Sequence, residues 1–82
     1  LNVFVESDKM EQVAEEMAQM DEVRDLYEVT GEFDLVAVVE ADNISDFREF
    51  IKNKVLKIDG IKSSVTSVIL FTHKIDGKWI TR

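Results

Sequence analysis

Apolar and polar residues alternate along the chain in patterns that predict strands and helices. Residues 2–6 are mostly β-branched or aromatic, which predicts a short first strand. From Lys9 to about Met20, apolar residues recur at three- and four-residue steps, as on one face of a helix. This stripe consists of Met10, Val13, Ala14, Met17 and Met20. Asp8 is expected to begin the helix, because Asp8 and Glu11 have the spacing of a capping box.

Two further apolar runs predict a β-hairpin. Val23 to Val29 and Phe33 to Glu40 read as paired strands that meet at a tight turn centred on residues 30–32. Gly31 suits such a turn because glycine reaches positive φ without steric cost. The second run is apolar at nearly every position except Asp34, so both faces of this strand are expected to be buried.

A second helix follows the hairpin. Asp42 or Asn43 is expected to cap its N-terminus, and Gly60 is expected to end it as a C′ glycine. Its apolar face consists of Ile44, Phe47, Phe50, Ile51, Val55 and Ile58. Acidic residues come early in this helix and lysines come late, which complements the helix dipole. This distribution of charge explains why the lysines cluster late in the helix better than a phosphate-binding or nucleic-acid-binding site does.

The chain closes with a long strand and a polar tail. Ile61 to Phe71 is rich in Val, Ile, Thr and Ser and predicts a fourth strand. The tail, with a C-terminal extension at residues 75–82, has a turn signal at 76–77. We expect its apolar pair, Trp79 and Ile80, to pack on a neighbouring surface.

The resulting order, βαββαβ, indicates an α+β, ferredoxin-like fold. Each half is a split βαβ unit, and right-handed crossovers place both helices on one face of a four-stranded antiparallel sheet. Alternation makes the other face apolar as well. In the third strand Leu35, Ala37 and Val39 point one way and Val36 and Val38 the other; in the fourth, Val65, Ile69 and Phe71 oppose Val68 and Leu70.

An apolar second face with no covering element predicts a dimer. Burying apolar surface contributes on the order of 25 cal/mol per Å², so a few hundred Å² adds several kcal/mol, comparable to the stability of a small domain. We therefore expect an obligate homodimer that associates through its sheet faces.

Composition narrows the possible functions. The chain has 82 residues, which fits a single domain spanning 1–82, and it has no cysteine for disulfides or thiolate metal sites. A net charge of −7 opposes direct binding to nucleic acid. There is no apolar run long enough to cross a membrane and no signal-peptide pattern, so a cytoplasmic location is expected.

The stretch from Val23 to Glu40 carries a family resemblance. Its Val-Thr-Gly-Glu-Phe-Asp hairpin, followed by an apolar strand, resembles the effector domain of Lrp/AsnC transcription regulators, also called the RAM domain. The stretches 46–51 and 60–70 are similar to that family's second helix and last strand. The resemblance covers the chain from Val3 to about Lys74.

The resemblance implies a domain that binds an amino acid or a related small metabolite. In that family dimers join into closed rings, and the effector lies in clefts where dimers meet. Carried over by position, the effector-binding residues are Gly31, Phe33, Asp34, Thr66, Val68 and Ile69. Turn amides near Gly31 suit an α-carboxylate, Asp34 suits an α-ammonium, and the strand residues suit a side chain. Each residue also has an explanation that needs no ligand. Gly31 would satisfy the geometry of the turn, Asp34 would hydrogen-bond the hairpin backbone, and the other residues would pack within their strands.

The chain departs from the family pattern because no helix-turn-helix segment precedes Leu1. We therefore expect either a stand-alone effector domain without its own DNA-binding domain, or a fragment. A stand-alone form would be able to assemble with full-length Lrp/AsnC regulators.

Two other classes stay open. One is an ACT-like or purely structural oligomerisation module, although the loop after the first strand lacks the glycine that ACT domains usually carry there. The other is a small ferredoxin-like dimeric enzyme, for which His73 is the only histidine and lies in the polar tail. No nucleophile motif, metal-ligand set or phosphate loop is present, so we expect no catalytic residue, metal or cofactor.

Overall fold

Six strands and two helices make up the computed structural model, which describes residues 1–80. Their bounds are β1 Asn2–Val5, α1 Met10–Ala18, β2 Val23–Glu28, β3 Leu35–Val39, α2 Ile44–Phe50, β4 Ile61–Val65, β5 Lys74–Ile75 and β6 Lys78–Trp79. A 3₁₀ turn, Ser7–Lys9, leads into α1, and a π-helical turn, Ile51–Val55, continues α2. No helix among residues 1–80 is long and apolar enough to cross a bilayer.

The first four strands form one antiparallel sheet in the order β2-β3-β1-β4. This order and the two helices confirm the predicted ferredoxin-like fold. Strands β2 and β4 are the sheet edges. Arg24 forms a bulge in β2, because Val23 pairs with Val39 whereas Asp25 pairs with Val38.

The core lies between the helices and one face of the sheet, where alternation predicted it. Leu35 and Ala37 of β3 are almost fully buried, as are Val13 and Met17 of α1. Phe50, Val55 and Ile58 join the core from α2 and the segment after it. The remaining buried side chains are Leu1, Val3 and Val5. Every residue of this core is apolar, so the core itself buries no polar side chain.

The two helix starts differ from each other. Asn43 caps α2 as predicted, because its Oδ1 accepts a hydrogen bond from the Asp46 N–H at 2.8 Å. The prediction of an Asp8 cap for α1 is wrong, since no side chain caps either the 3₁₀ turn or α1. The 3₁₀ turn instead satisfies a terminal amide internally, with the Lys9 N–H donating to the Glu6 carbonyl at 2.9 Å.

The prediction that Gly60 is the C′ glycine of α2 is also wrong. The helical segment ends at Val55 with Leu56 as its C-cap, and the Leu56 N–H donates to the Ile51 carbonyl five residues back. Gly60 lies later, in the turn before β4, with φ at +108°. Its carbonyl accepts from the Glu6 N–H at 2.7 Å, which joins that turn to the end of β1.

Two strand boundaries fall short of the prediction. The β2–β3 connection spans residues 29–34 and is wider than the predicted tight turn, although Gly31 has the expected positive φ of +116°. Strand β4 ends at Val65 and does not continue to Phe71. Asn2 pairs with Val65 at this end of the β1–β4 ladder, and among residues 1–80 no strand pairs with residues 66–72. The predicted alternation of Val68, Ile69, Leu70 and Phe71 across the sheet is therefore not observed in the single chain.

Strands β5 and β6 form a separate two-stranded hairpin. Asp76 and Gly77, both with positive φ, make its two-residue turn, as the sequence indicated. Trp79 is 80% exposed, so the expected packing of this tail on a neighbouring surface does not occur within residues 1–80. Thr81 and Arg82, the last residues of the predicted extension, lie outside the described residues.

Candidate functional site

The sheet face opposite the helices carries a row of side chains that is apolar on three of the four strands. Tyr27 pairs with Val36, Val36 with Asn2, and Asn2 with Val65, so these four positions cross all four strands. Tyr27 and Val65 are 55% and 46% exposed, and Val36 is half-buried. Phe4 lies on the same face by alternation along β1. We call these residues, together with Val38, the open face; neither helix lies on it, although residues 66–69 share a cavity with its Asn2, Val36 and Val38.

Three of the predicted effector residues lie at the tip of the β2–β3 hairpin. Gly31 is exposed, and a Cβ built on it would meet no atom within 4 Å. Phe33 packs against Phe4, with ring centroids 4.9 Å apart. The Asp34 carboxylate accepts a hydrogen bond from the Val5 N–H at 2.7 Å. Asp34 thus has a structural contact with β1, while its other carboxylate oxygen carries no described hydrogen bond.

The other three predicted residues lie beyond the opposite end of β3. Thr66, Val68 and Ile69 belong to the irregular segment after β4 and form one wall of a largely apolar cavity of about 570 Å³. The other walls are the stretch from Val36 to Ala41 and the start of α2. This volume lies within the range of small-molecule sites.

A single chain therefore does not bring the six predicted residues together. The hairpin tip precedes β3, and the cavity lies where β3 ends. The start of α2 forms a wall of the cavity that the sequence pattern does not reveal, and Asn43, Ile44 and Phe47 provide it. Ile44 belongs to the apolar face predicted for the second helix, yet it is 62% exposed and lines this opening. The helical stripe alone was unable to reveal this, because a 3.6-residue period does not say where a helix overhangs its sheet.

Two ion pairs fix the helix side of the domain. Lys9 Nζ lies 2.6 Å from Asp59 Oδ2, and this hydrogen bond raises the pKa of Lys9 above its usual value. Lys54 Nζ lies 2.7 Å from Glu22 Oε2, and this contact lowers the pKa of the Glu22 carboxyl. Lys9 lies in the 3₁₀ turn and Lys54 in the π-helical turn, and each pairs with a carboxylate of a loop, which indicates a structural role.

Candidate metal chemistry has no geometric support within residues 1–80. No group of three or more His, Asp or Glu side chains in this range is placed to hold an ion. His73 instead presents its ring edge-on to Phe71, with centroids 4.7 Å apart.

Comparison with known proteins gives a consistent family match. The model of the Lrp/AsnC ligand-binding domain matches residues 1–79. A helix-turn-helix-type transcriptional regulator of Pyrococcus horikoshii, PH0140, is 40% identical over 72 residues, covering 88% of this chain and 46% of that protein. Another, YugG of Bacillus subtilis, is 34% identical over 68 residues, covering 83% of this chain and 41% of that protein. The chain thus spans about half the length of the relatives it matches.

Solved structures match the fold in the same way. The hypothetical protein PHS023 of Pyrococcus horikoshii aligns with a TM-score of 0.78 and 32% identity, covering 88% of this chain and 87% of that one. AsnC of Escherichia coli aligns with a TM-score of 0.85 over 90% of this chain and 50% of that one. At 23% identity, the AsnC match shows the fold alone.

Proposed function

The chain belongs to the Lrp/AsnC family, as its ligand-binding domain, and from that premise we propose that it binds an amino acid or a related small metabolite. In this proposal it is a sensor and oligomerisation module of transcription regulation, not an enzyme. The relatives named above are called transcriptional regulators, which supports the regulatory context.

The open face supports assembly into a homodimer. Its row of side chains crosses the whole sheet, and three of its four members, Tyr27, Val36 and Val65, are aromatic or β-branched, whereas Asn2 is polar. Removing such a face from water contributes about 25 cal/mol per Å² of apolar area. A second copy has the same face, so a two-fold pairing covers both at once. We propose that these dimers join further into a closed ring.

The separation of the two predicted site clusters is the observation that carries the effector proposal. Gly31, Phe33 and Asp34 lie before β3, whereas Thr66 and its neighbours lie beyond its other end. A boundary between copies is able to place the hairpin tip of one chain near the cavity of another. The cluster at the tip offers amides and a carboxylate for the polar end of an amino acid, and the cavity offers apolar walls for its side chain.

Asp34 has two roles to separate in this proposal. Its hydrogen bond to the Val5 N–H is structural, and its negative charge is the group proposed to pair with an α-ammonium. Asp34→Asn keeps an acceptor for Val5 and removes the charge. Asp34→Ala removes both, and leaving the Val5 N–H without its partner costs about 1–3 kcal/mol.

Thermal unfolding in the presence of each of the twenty amino acids tests the sensor proposal. A ligand present at about a hundred times its Kd adds about 2.7 kcal/mol of stability, which raises Tm by about 10 °C or more. We expect at least one amino acid to do this with the wild type but not with Asp34→Asn. Glu15→Gln, an exposed change on α1, is the matched control and should respond like the wild type.

Two results would contradict the sensor proposal. If none of the amino acids shifts Tm, the domain is better described as a structural oligomerisation module than as a sensor. If Asp34→Asn responds as strongly as the wild type, its carboxylate does not contact the ligand.

We further propose that the domain acts in the cytoplasm through full-length Lrp/AsnC regulators and does not contact DNA itself. Its net charge of −7 opposes binding to a polyanion. The shared domain would let it join the oligomers of such a regulator. Co-purification with a full-length relative from the same cells is expected, and recovery of the domain alone would contradict this partnership.

A further inference from the structure

Strand β1 holds two of the proposed effector residues, Phe33 and Asp34, in place. The ladder between β1 and β3 ends at the pair Val3 and Leu35. Just beyond it, the Asp34 N–H donates to the Val3 carbonyl at 3.1 Å, and the Asp34 carboxylate accepts from the Val5 N–H at 2.7 Å. Asp34 thus extends the contact between the two strands past their last pair, with its side chain as the acceptor.

Phe33 is fixed through its side chain. Its ring lies against the Phe4 ring, with centroids 4.9 Å apart and an angle of 55° between the ring planes. Tilted rings at this separation attract each other beyond the burial of their area. Both side chains are only half-buried, so Phe33 keeps part of its surface for a further contact.

The crest of the hairpin contrasts with this anchored base. Residues 30–32 are exposed, and Gly31 has open space around it. Below the crest, the Val29 N–H donates to the Asp34 carbonyl at 3.0 Å and closes the connection. A side chain on an exposed connection keeps its rotamer freedom unless a neighbour packs against it. The orientation of Phe33 therefore depends on its ring contact with Phe4.

Phe4 differs from its neighbours in β1 in how it contacts the hairpin. Val3 and Val5 reach Asp34 through backbone atoms, and their side chains belong to the helix-side core. Phe4 alternates to the opposite face of the sheet and reaches the hairpin through its ring. A substitution at Phe4 therefore removes this contact and leaves the backbone bonds to Asp34 in place.

We propose that Phe4 is a positioning residue of the effector site. Its ring holds the Phe33 ring in the orientation that contacts a bound amino acid, and Phe4 itself does not touch the ligand. The inference rests on the proposed effector function and adds to it a residue outside the hairpin and the cavity. The ring is the required feature, because two packed rings fix their relative orientation, whereas an aliphatic side chain imposes no such preference.

Calorimetric titration of the full chain with each of the twenty amino acids, one at a time, measures the effector Kd. Phe4→Leu keeps a large apolar side chain and removes the ring. For every amino acid that binds the wild type, we expect this variant to raise the Kd about three- to tenfold. Phe4→Tyr keeps the ring and should restore the wild-type Kd.

A double-mutant cycle tests whether Phe4 acts through Phe33. Phe33→Leu should weaken binding by itself. If Phe4 serves to orient Phe33, adding Phe4→Leu to Phe33→Leu should cause little further loss. A further loss as large as that in the wild-type background would show that Phe4 acts by another route, and would overturn the proposed role.

Phe50→Leu is the matched control for a general loss of stability. It also replaces a ring by an aliphatic side chain, but in the helix-side core, where Phe50 is 4% exposed. This variant should lower Tm and leave the effector Kd unchanged. Sedimentation of every variant at the concentration of the titration is expected to show the same assembly as the wild type.

The remaining outcomes separate this inference from the sensor proposal. An unchanged Kd in Phe4→Leu, or an equal rise in Phe4→Leu and Phe4→Tyr, would overturn the positioning role and leave the sensor intact. A rise that accompanies a loss of assembly would assign the effect to the open face and likewise overturn the role. If none of the amino acids binds the wild type, the sensor proposal fails and this inference fails with it.

Discussion

At the scale of single residues, Gly60 is a position where the fold is expected to tolerate a side chain poorly. Its φ of +108° disfavours any side chain, and a Cβ there would lie 2.6 Å from the Lys9 Cβ and 3.0 Å from a Val13 methyl group. Because that contact is with the fixed base of a side chain, the start of α1 would have to move. The glycine is therefore required both by conformation and by space.

Gly60→Ala should lower the free energy of unfolding by about 2–4 kcal/mol, since backbone strain and overpacking add. Gly31→Ala is the matched control, because it has a similar φ but open space around it. Its cost should be limited to the conformational strain, about 1–2 kcal/mol. Urea unfolding at one fixed protein concentration measures both. Equal losses for the two variants would mean that the close approach at Gly60 does not matter.

At the scale of elements, the two helix starts give a direct comparison. Asn43→Ala removes the hydrogen bond to the Asp46 N–H and should destabilise the chain by about 1 kcal/mol. Asp8→Ala removes no capping bond and should change stability by less than about 0.5 kcal/mol. Denaturant unfolding of the two variants checks this. A larger loss for Asp8→Ala would restore the capping box that the sequence suggested.

The contact between Glu22 and Lys54 predicts a pH dependence. The ion pair lowers the pKa of Glu22 in the folded state, so its contribution to stability is present above the unfolded pKa and is lost as the pH falls through the folded value. Glu22→Gln should therefore be less stable than the wild type at pH 7, by up to about 1 kcal/mol because the pair is partly exposed. The difference should vanish between about pH 5 and pH 3. Unfolding curves across this range measure it, and a difference that is constant with pH would contradict the assignment.

The positions of most helices and strands follow from the sequence alone. Local patterns predicted both helices, all four sheet strands and the turn at Asp76, because period and turn chemistry are properties of the segment itself. They overestimated β4, since residues 66–71 have strand propensity but pair with no strand within residues 1–80. A strand needs a partner as well as a propensity, and the partner is not visible in the segment.

At the scale of the whole molecule, the geometry of the candidate site also depends on partners that its own segments do not reveal. The sequence pattern and the family resemblance identified Gly31, Asp34 and Val68 as positions of interest, but not that they lie at different ends of β3. Distances between segments follow from the assembled sheet. If the site is shared between copies, as proposed, they also follow from the assembly, which no single-chain pattern contains.

The open face accounts for why this small domain would need a partner. A domain of this size buries only about 60% of the surface its unfolded chain exposes, which leaves its stability marginal. Pairing the open faces adds apolar burial where the single chain lacks it. Val36 lies in the middle of the row, paired with both Tyr27 and Asn2, so a charge there would be buried without a partner in the dimer.

Sedimentation equilibrium of the wild type and of Val36→Asp at micromolar concentration tests the burial of the open face most directly. We expect the wild type to sediment as a dimer or a larger closed assembly. The variant should sediment as a monomer with its helical circular dichroism retained, because Val36 is not part of the helix-side core. A wild type that is fully folded and monomeric in this range, or a Val36→Asp variant that assembles like the wild type, would contradict the account.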